Sequence, residues 1–477
     1  MKINKDFNGM VKLMKTVKIE TLLVFLFVIL SCSSSKDKGI EIRNEHPNYW
    51  TYNCKPTLLL GGSNDDNLFQ WPIEKLVPHL DSMVDVGANY VRNTMSDRKQ
   101  MRFEIYPFKE LPNKKYDLDQ WSDEYWNRFT IFLEETAKRN IIVQIEIWDR
   151  FDFSREEWKP NPYNPINNVS YTYDESGFVQ EYPKHPGKNA QPFFFTTPNQ
   201  RNNATVFKYQ KAYVDKLLSI SLKYNNVLYC IDNETSAEEA WATYWAQYIK
   251  EKAGDKKIYV TEMWNAHDLT DDEHKRTFDH PELYDYVDIS QNSWNKGYEN
   301  WLGAQKVKAY LSKNTRPINH VKIYGASTHK RAEEGINSSH AAKVFLRNIV
   351  GGLASSRFHR PTSGLGLSRI SINCIKSVRM VEEKVKFWDL RPNMKLLLDC
   401  DYDEAYLTAN PDKSYLVYFT GKSSVDLDLS QVSGSFRMYS INIQNASWAK
   451  STEVKGKQIL ELTSEYENGS FIILTKQ

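Results

Sequence analysis

Short apolar runs alternate with longer amphipathic stretches from residue 46 to residue 390. The runs at 57–60, 90–94, 141–148, 227–231, 257–261, 286–290, 320–324 and 353–358 are short and nearly continuous in hydrophobicity. Strands of a parallel sheet, buried on both faces, read this way. Between them, 119–139, 204–224, 237–252 and 341–350 carry apolar positions at helical spacing, and 371–390 closes the series. Eight strand–helix units predict an α/β fold, a (β/α)8 TIM barrel over residues 46–390. A doubly wound sheet is the alternative, but no Gly-rich phosphate turn follows the first strand. After Leu390 the Arg391-Pro392-Asn393 sequence breaks the last helix, and the pattern shifts to short alternating runs at 404–408, 414–420, 425–429, 436–441, 458–462 and 470–474. These predict a small C-terminal β-sandwich over 391–477.

Two stretches fall outside this alternation. Residues 150–203 form an insertion after the third strand, rich in Pro, Asn, Tyr and Phe. A loop of that length in a compact domain is usually functional, and its position predicts a wall of a cleft above the barrel. Residues 1–32 have the three-part layout of a signal peptide: Lys2, Lys5, Lys12, Lys15 and Lys18, then an apolar run at 22–30, then Ile29-Leu30-Ser31-Cys32. The apolar run is too short for a mature membrane span, and Met10 or Met14 offers an alternative start. The closing tetrapeptide resembles a bacterial lipobox, which implies acyl chains on Cys32, with 33–45 as a tether. An ordinary cleaved signal is the alternative. The expected location is the bacterial outer membrane, on the cell surface or the periplasmic face.

The net charge of +2 sets up no field that would favour nucleic acid. Cys54, Cys230, Cys374 and Cys400 are far apart and lack CxxC spacing, so neither a metal site nor a disulfide framework is indicated, and no cofactor is expected. Cys230, inside an apolar run, reads as a small buried hydrophobe. Aromatic residues make up 13% of the chain. Their faces suit sugar rings as well as protein cores, so composition turns the picture only slightly toward carbohydrate.

Polar groups at the C-terminal ends of barrel strands mark the catalytic face of such a fold. The fourth strand ends in Asp232-Asn233-Glu234, the second carries Arg92, and the first runs into Gly61-Gly62-Ser63-Asn64-Asp65-Asp66-Asn67. Glycines in that turn let backbone approach a ligand, and Asp66 can bind hydroxyls; a turn held by Asx caps explains the same residues. Glu234 is a candidate general acid and Asn233 a candidate ligand for a hydroxyl, although Thr235 and Ser236 would also suit a helix cap here.

On these residues the chain resembles the clan A glycoside hydrolase barrels. More narrowly, it resembles the apiosidase-like bacterial families that append a C-terminal β-domain often labelled collagen-binding. The stretch Tyr52-Asn53-Cys54-Lys55-Pro56-Thr57-Leu58-Leu59-Leu60-Gly61-Gly62 is similar to their first strand, with Cys54 where Gly is usual, and Arg92 and Asp232-Asn233-Glu234 match in kind. The resemblance implies cleavage of glycosidic bonds in a polysaccharide or its oligosaccharides. One departure matters. The clan ends strand seven with a nucleophilic glutamate, whereas this chain reads His320-Val321-Lys322-Ile323-Tyr324-Gly325, with Ile323 in the nucleophile position. The retaining mechanism therefore does not carry over.

A second carboxylate must come from elsewhere. Glu262, ending strand five beside the strand of Glu234, is the first choice. Asp149 at the end of strand three is the next, and Glu333 and Glu334 follow strand seven. Lys322, Tyr324, Arg357, His359 and Arg360 make one side basic, which suits a uronate or sulfated sugar unless they pair with barrel acids. Trp148 and Trp264 are candidate stacking platforms or ordinary core. Three readings result: a lipoprotein glycoside hydrolase, a sugar-binding lipoprotein on a degenerate hydrolase barrel, and an adhesion protein relying on the β-domain. The anchor has its own test. Cys32→Ser is expected to abolish metabolic palmitate labelling and release the chain from the membrane fraction; persistent labelling would contradict the assignment.

Overall fold

The computed structural model describes residues 39–96, 104–186, 191–328, 330–449 and 451–477. The expected signal segment and Cys32 lie outside the described residues. Eight strands, β1 (Leu59–Gly62), β2 (Tyr90–Thr94), β3 (Ile142–Asp149), β4 (Val227–Asn233), β5 (Val260–Thr261), β6 (Val287–Asp288), β7 (Ile318–Asn319) and β8 (Ser355–Phe358), alternate with eight helices. The helices are α1 (Ile73–Asp85), α2 (Asp123–Lys138), α3 (Ala204–Ser221), α4 (Glu239–Ala253), α5 (Asp272–Phe278), α6 (Gly297–Tyr310), α7 (Ser338–Val350) and α8 (Arg369–Lys384). Parallel ladders join β2, β3, β4 and β5, then β6 to β7, then β8 to β1. Backbone bonds supply the remaining contacts: Asn89 N–H to Leu60 O, Asp285 N–H to Val260 O, and, between β7 with its extension and β8, Ala354 N–H to Ile318 O, Arg357 N–H to His320 O and Ile323 N–H to Arg357 O. The strands thus close into a (β/α)8 barrel.

Helix starts follow capping chemistry. Ser122, Asn337 and Ser368 accept backbone N–H groups at the starts of α2, α7 and α8. Strand one begins two residues later than expected because Lys55–Thr57 pairs back onto Trp50–Tyr52. Asn53 and Cys54, both at positive φ (48° and 65°), make the turn between them; that is the geometry of a type I′ hairpin, which explains the preference for Gly there. Gly61 and Gly62 serve packing rather than a ligand. A Cβ on Gly61 would lie 2.2 Å from Tyr90 O, and one on Gly62 would lie 2.4 Å from Gly366 O.

The barrel interior is layered. Ile40 and Trp50, from the N-terminal three-stranded sheet, pack with Leu59, Ile142, Leu228, Cys230, Tyr259, Tyr286 and Val321, closing the end of the barrel where the strands begin. Above them Trp50 Nε1 donates to Asn319, Asn319 Nδ2 to the Tyr90 hydroxyl, and that hydroxyl to Gln144 (3.0, 3.0 and 2.6 Å). Outside the strands, Trp148, Tyr213, Trp241 and Trp245 form an aromatic layer under the helices.

The insertion after β3 is not an open loop. Its aromatic residues, including Phe153, Trp158, Tyr163, Phe178 and Phe193, are buried against one another and against the outer layer. Its asparagines do local work: Asn161, Asn164 and Asn168 each accept the N–H two residues ahead, the Asx turn that an Asn- and Pro-rich sequence favours.

The C-terminal region is a sandwich. A larger antiparallel sheet contains Ala405–Asn410, Ser414–Phe419, Ser470–Lys476 and Ser435–Asn442, and a three-stranded sheet contains Leu397–Leu398, Ser423–Asp428 and Ile459–Ser464. Alternation divides the larger sheet. Leu407, Tyr415, Val417 and Leu474 face the inter-sheet core, while Tyr406, Leu416, Tyr418 and Ile473 join the core of the barrel. At that junction Arg347 of α7, 1% exposed at its side chain, pairs with Asp403 at 2.6 Å, and the Tyr406 hydroxyl donates to the same carboxylate. Asp403→Ala would leave the Arg347 charge buried and unpaired. A loss of about 3 kcal/mol in unfolding free energy is expected by denaturant titration.

Candidate active site at the barrel mouth

The polar groups expected at the strand ends converge in part. Glu234 follows β4 with a left-handed backbone, φ 55°, a conformation a non-glycine residue adopts only where its surroundings impose it. Its side chain, 13% exposed, forms an ion pair with Lys322 Nζ. The Tyr324 hydroxyl donates to the same oxygen, Oε1, at 3.1 Å. Lys322 Nζ also donates to Asn233 Oδ1 at 2.9 Å, and Asn233 Nδ2 donates to Asp149 Oδ1 at 3.2 Å. A chain of contacts thus runs Asp149–Asn233–Lys322–Glu234, drawing on β3, β4 and the segment after β7.

Burial alone would raise the Glu234 pKa. The Lys322 ammonium, the Tyr324 hydroxyl and the more distant Arg92 outweigh it and hold the carboxyl at about 2. Glu234 is therefore an ionised carboxylate over the physiological range, which does not fit the general-acid role expected from sequence. Burial and the neighbouring Glu234 charge push the Tyr324 phenol well above its usual value.

Strand seven holds a second correction. Ile323 lies in the hydrophobic layer outside the barrel, and Lys322 and Tyr324 point inward. The inward position expected to carry a carboxylate is occupied by a lysine, which the ion pair with Glu234 satisfies.

Glu262 does not share this group. It is fully buried and accepts the N–H groups of Asp232 and Met263 at 3.1 and 2.7 Å. Thr261 pairs with the inward-facing Cys230, so the next residue, Glu262, turns outward. Asp232 lies on that side too, accepting from Trp241 Nε1 at 2.9 Å. Burial pushes both carboxyls up, and the charge of Asp232 raises Glu262 further. Trp148 and Trp264 are core: both are buried, the first in the outer aromatic layer and the second donating to Thr277. Glu333 and Glu334 are exposed, and Glu334 pairs with Arg331.

The basic side is consumed by acids. Arg92 pairs with Glu146 (2.5 Å) and Asp66 (3.1 Å), and Arg357 and Arg360 reach Asp66 at 3.1 and 2.6 Å. His359 Nδ1 lies 3.1 Å from Asp66 as well, and burial pushes that ring down to about 3, so it is neutral. Burial would raise Asp66, but the His359 ring hydrogen-bonded to it and the charges of Arg92 and Arg360 hold it well below the usual carboxylate range. Of the two readings of this basic side, the structure thus shows its arginines paired with barrel acids.

Beside Asp149 opens a cleft of about 680 Å³, lined by Asn64, Asp65, Asp66, Thr94, Ser96 and Arg360 among others. The sequence reading missed Trp294. This half-buried ring stacks on Tyr324 with centroids 4.5 Å apart and planes 23° apart, and on His267 at 5.5 Å. It fixes the Tyr324 ring whose hydroxyl meets Glu234. The polar run Ser290-Gln291-Asn292-Ser293 before it, directly after β6, was the available signal. Among the described residues no group of three His, Cys, Asp or Glu side chains is placed to hold a metal ion, and no helix is long and apolar enough to cross a membrane.

The architecture is similar to that of solved glycoside hydrolases. A glycoside hydrolase family 5 protein from Bacteroides vulgatus superposes with a TM-score of 0.62 at 13% identity, over 92% of this chain and 94% of that one. A second glycoside hydrolase gives 0.62 at 12% identity, over 92% and 97%. A maltogenic α-amylase from Thermotoga neapolitana gives 0.51 at 10% identity, over 88% and 99%. At these identities the likeness is one of fold. No protein-family model matches the chain, and no curated protein matches it.

The Glu234 pKa falls from 4.5 unfolded to about 2 folded. Such a depressed carboxyl stabilises the fold above pH 4.5, and the contribution is lost as pH drops through the folded value. Denaturant unfolding should show wild type more stable than Glu234→Gln by about 3 kcal/mol at pH 6. The gap should close between pH 4.5 and 2; a constant gap would contradict the ion pair.

Proposed function

We propose that the chain is a lipid-anchored glycoside hydrolase that cleaves glycosidic bonds in a polysaccharide or its oligosaccharides, with Asp149 and Glu234 as its working carboxylates. The observation that carries this is their placement. Both sit at the C-terminal mouth of the barrel, joined through Asn233 and Lys322, with Asp149 opening on the cleft. Glycoside cleavage needs one carboxyl to protonate the leaving oxygen and another to stabilise or attack the anomeric centre, directly or through water. Held ionised, Glu234 takes the second role and Asp149 the first. The similarity to solved glycoside hydrolases supports the fold on which this chemistry is built. The finer kinship with apiosidase-like barrels rests on the first-strand sequence and the Asp232-Asn233-Glu234 run.

Protein groups rather than net charge set substrate choice. Arg92, Arg357 and Arg360 are each held by Asp66, and Arg92 by Glu146 as well, while Asn64, Thr94, Ser96 and Thr362 offer neutral hydrogen-bonding groups to the cleft. A polyhydroxylated sugar suits that lining.

One observation favours a second reading. The Lys322–Glu234 ion pair occupies the place where a hydrolase of this fold is expected to keep its second carboxylate, and a barrel that binds glycans without cleaving them has no use for one. Hydrolysis of a glycan panel separates the two. In the hydrolase reading Glu234→Gln and Asp149→Asn each lower kcat by about 10²–10⁴-fold while the protein stays folded. Tight glycan binding with no turnover by wild type would establish the second reading instead.

A further inference from the structure

Lys322 stands apart from the other cations of the mouth. Arg92, Arg357 and Arg360 all converge on Asp66, whereas Lys322, 1% exposed, donates to neither that carboxylate nor its neighbours. Its two acceptors both lie at the end of β4: Glu234 Oε1 and Asn233 Oδ1.

The chemistry of an ammonium decides the rest. Lysine has three donors and no acceptor, so what it meets on Asn233 must be the carboxamide oxygen. That choice fixes the amide, and its NH2 is directed at Asp149 Oδ1 (3.2 Å). Asp149 Oδ1 also accepts the backbone N–H of Phe151 at 3.1 Å. Asn233 and Phe151 thus hold the same oxygen of Asp149. On the other side, Lys322 and Tyr324 both donate to Glu234 Oε1, which makes Oε2 the more basic oxygen of that carboxylate. One ammonium thereby touches the first carboxyl directly and the second through a single amide.

We infer that Lys322 is a positioning residue that orients two carboxylates of the barrel mouth, clamping Glu234 directly and Asp149 through the amide of Asn233. Its catalytic meaning rests on the hydrolase reading above; the coupling itself does not. Strand seven thus keeps a part in the site although it brings no carboxylate. The groups that face Glu234 from the surrounding elements are Tyr324 and Lys322 from strand seven, Arg92 from β2, His267 from the segment after β5, and Asp149 by way of Asn233.

The test begins without substrate. Lys322→Met removes the donor. Lys322→Gln, close in volume and able to accept as well as donate, frees the Asn233 amide to turn without opening a hole, and serves if the methionine variant does not fold. In denaturant unfolding, either substitution combined with Asp149→Asn is expected to be non-additive by about five-fold or more in the unfolding equilibrium constant. In an Asn233→Ala background the coupling should vanish. Additive effects with Asn233 present overturn the proposal, as does coupling that survives the loss of Asn233.

The second readout uses whichever p-nitrophenyl glycosides wild type hydrolyses. Lys322→Gln is expected to lower kcat by about 10–100-fold with little change in KM, and to move the acidic limb of the pH profile upward, because Glu234 loses its counter-charge. Unchanged kcat and an unchanged pH profile overturn the positioning role. If wild type hydrolyses none of the glycosides, the functional reading falls while the stability cycle still decides this one.

Discussion

A charge taken out of water must meet its opposite inside the protein, and the upper half of this barrel is organised by that requirement. Glu146 is fully buried and is met by Arg92; Arg92 reaches on to Asp66; Asp66 is met in turn by Arg357 and Arg360. Lys322 and Glu234 form a separate pair across the mouth. Had strand seven carried a glutamate at the inward position, Glu234 would face a like charge and its pKa would rise, as an acid catalyst needs. A lysine there reverses the sign of that effect. The identity of one side chain on β7's extension therefore sets the protonation state of the carboxyl that follows β4.

Much of the architecture was legible because buried parallel strands write themselves as uninterrupted apolar runs. β2 lies where the run at 90–94 put it, and β3 and β4 match to within two residues. The ladders at β5, β6 and β7 are two residues long, and so short a pairing leaves no more than a blurred trace in the sequence. The segment at 320–324 is extended but makes only isolated bridges, Ile323 with Phe358 and Tyr324 with Gly364. Helix α1 escaped notice because Pro72 and Pro78 interrupt its pattern, the second of them inside the helix.

The site was harder to read than the fold because strand geometry is a matter of parity. A shift of one residue moves a side chain from one face of a sheet to the other. Reading Ile323 rather than Lys322 as the inward residue, or Glu262 as inward rather than Thr261, is an error of that size. Near the mouth parity itself fails: Ile147 and Trp148 both lie in the outer hydrophobic cluster, and after that break Asp149 comes round to the cleft. The same parity decides between the two readings of the tryptophans in favour of core. Trp148 is turned to the helices, whereas Trp294, on an irregular turn with no strand parity to follow, reaches the site.

The three-stranded sheet at the start of the described chain does more than close the barrel's floor. Ile40 is bonded to Asn225, just before β4 begins, so the polypeptide enters at the pole opposite the mouth. Any attachment made upstream of Gly39 therefore grips the barrel by its base. The point where the chain joins the barrel and the cleft where a substrate would enter thus lie at opposite poles of the same strands.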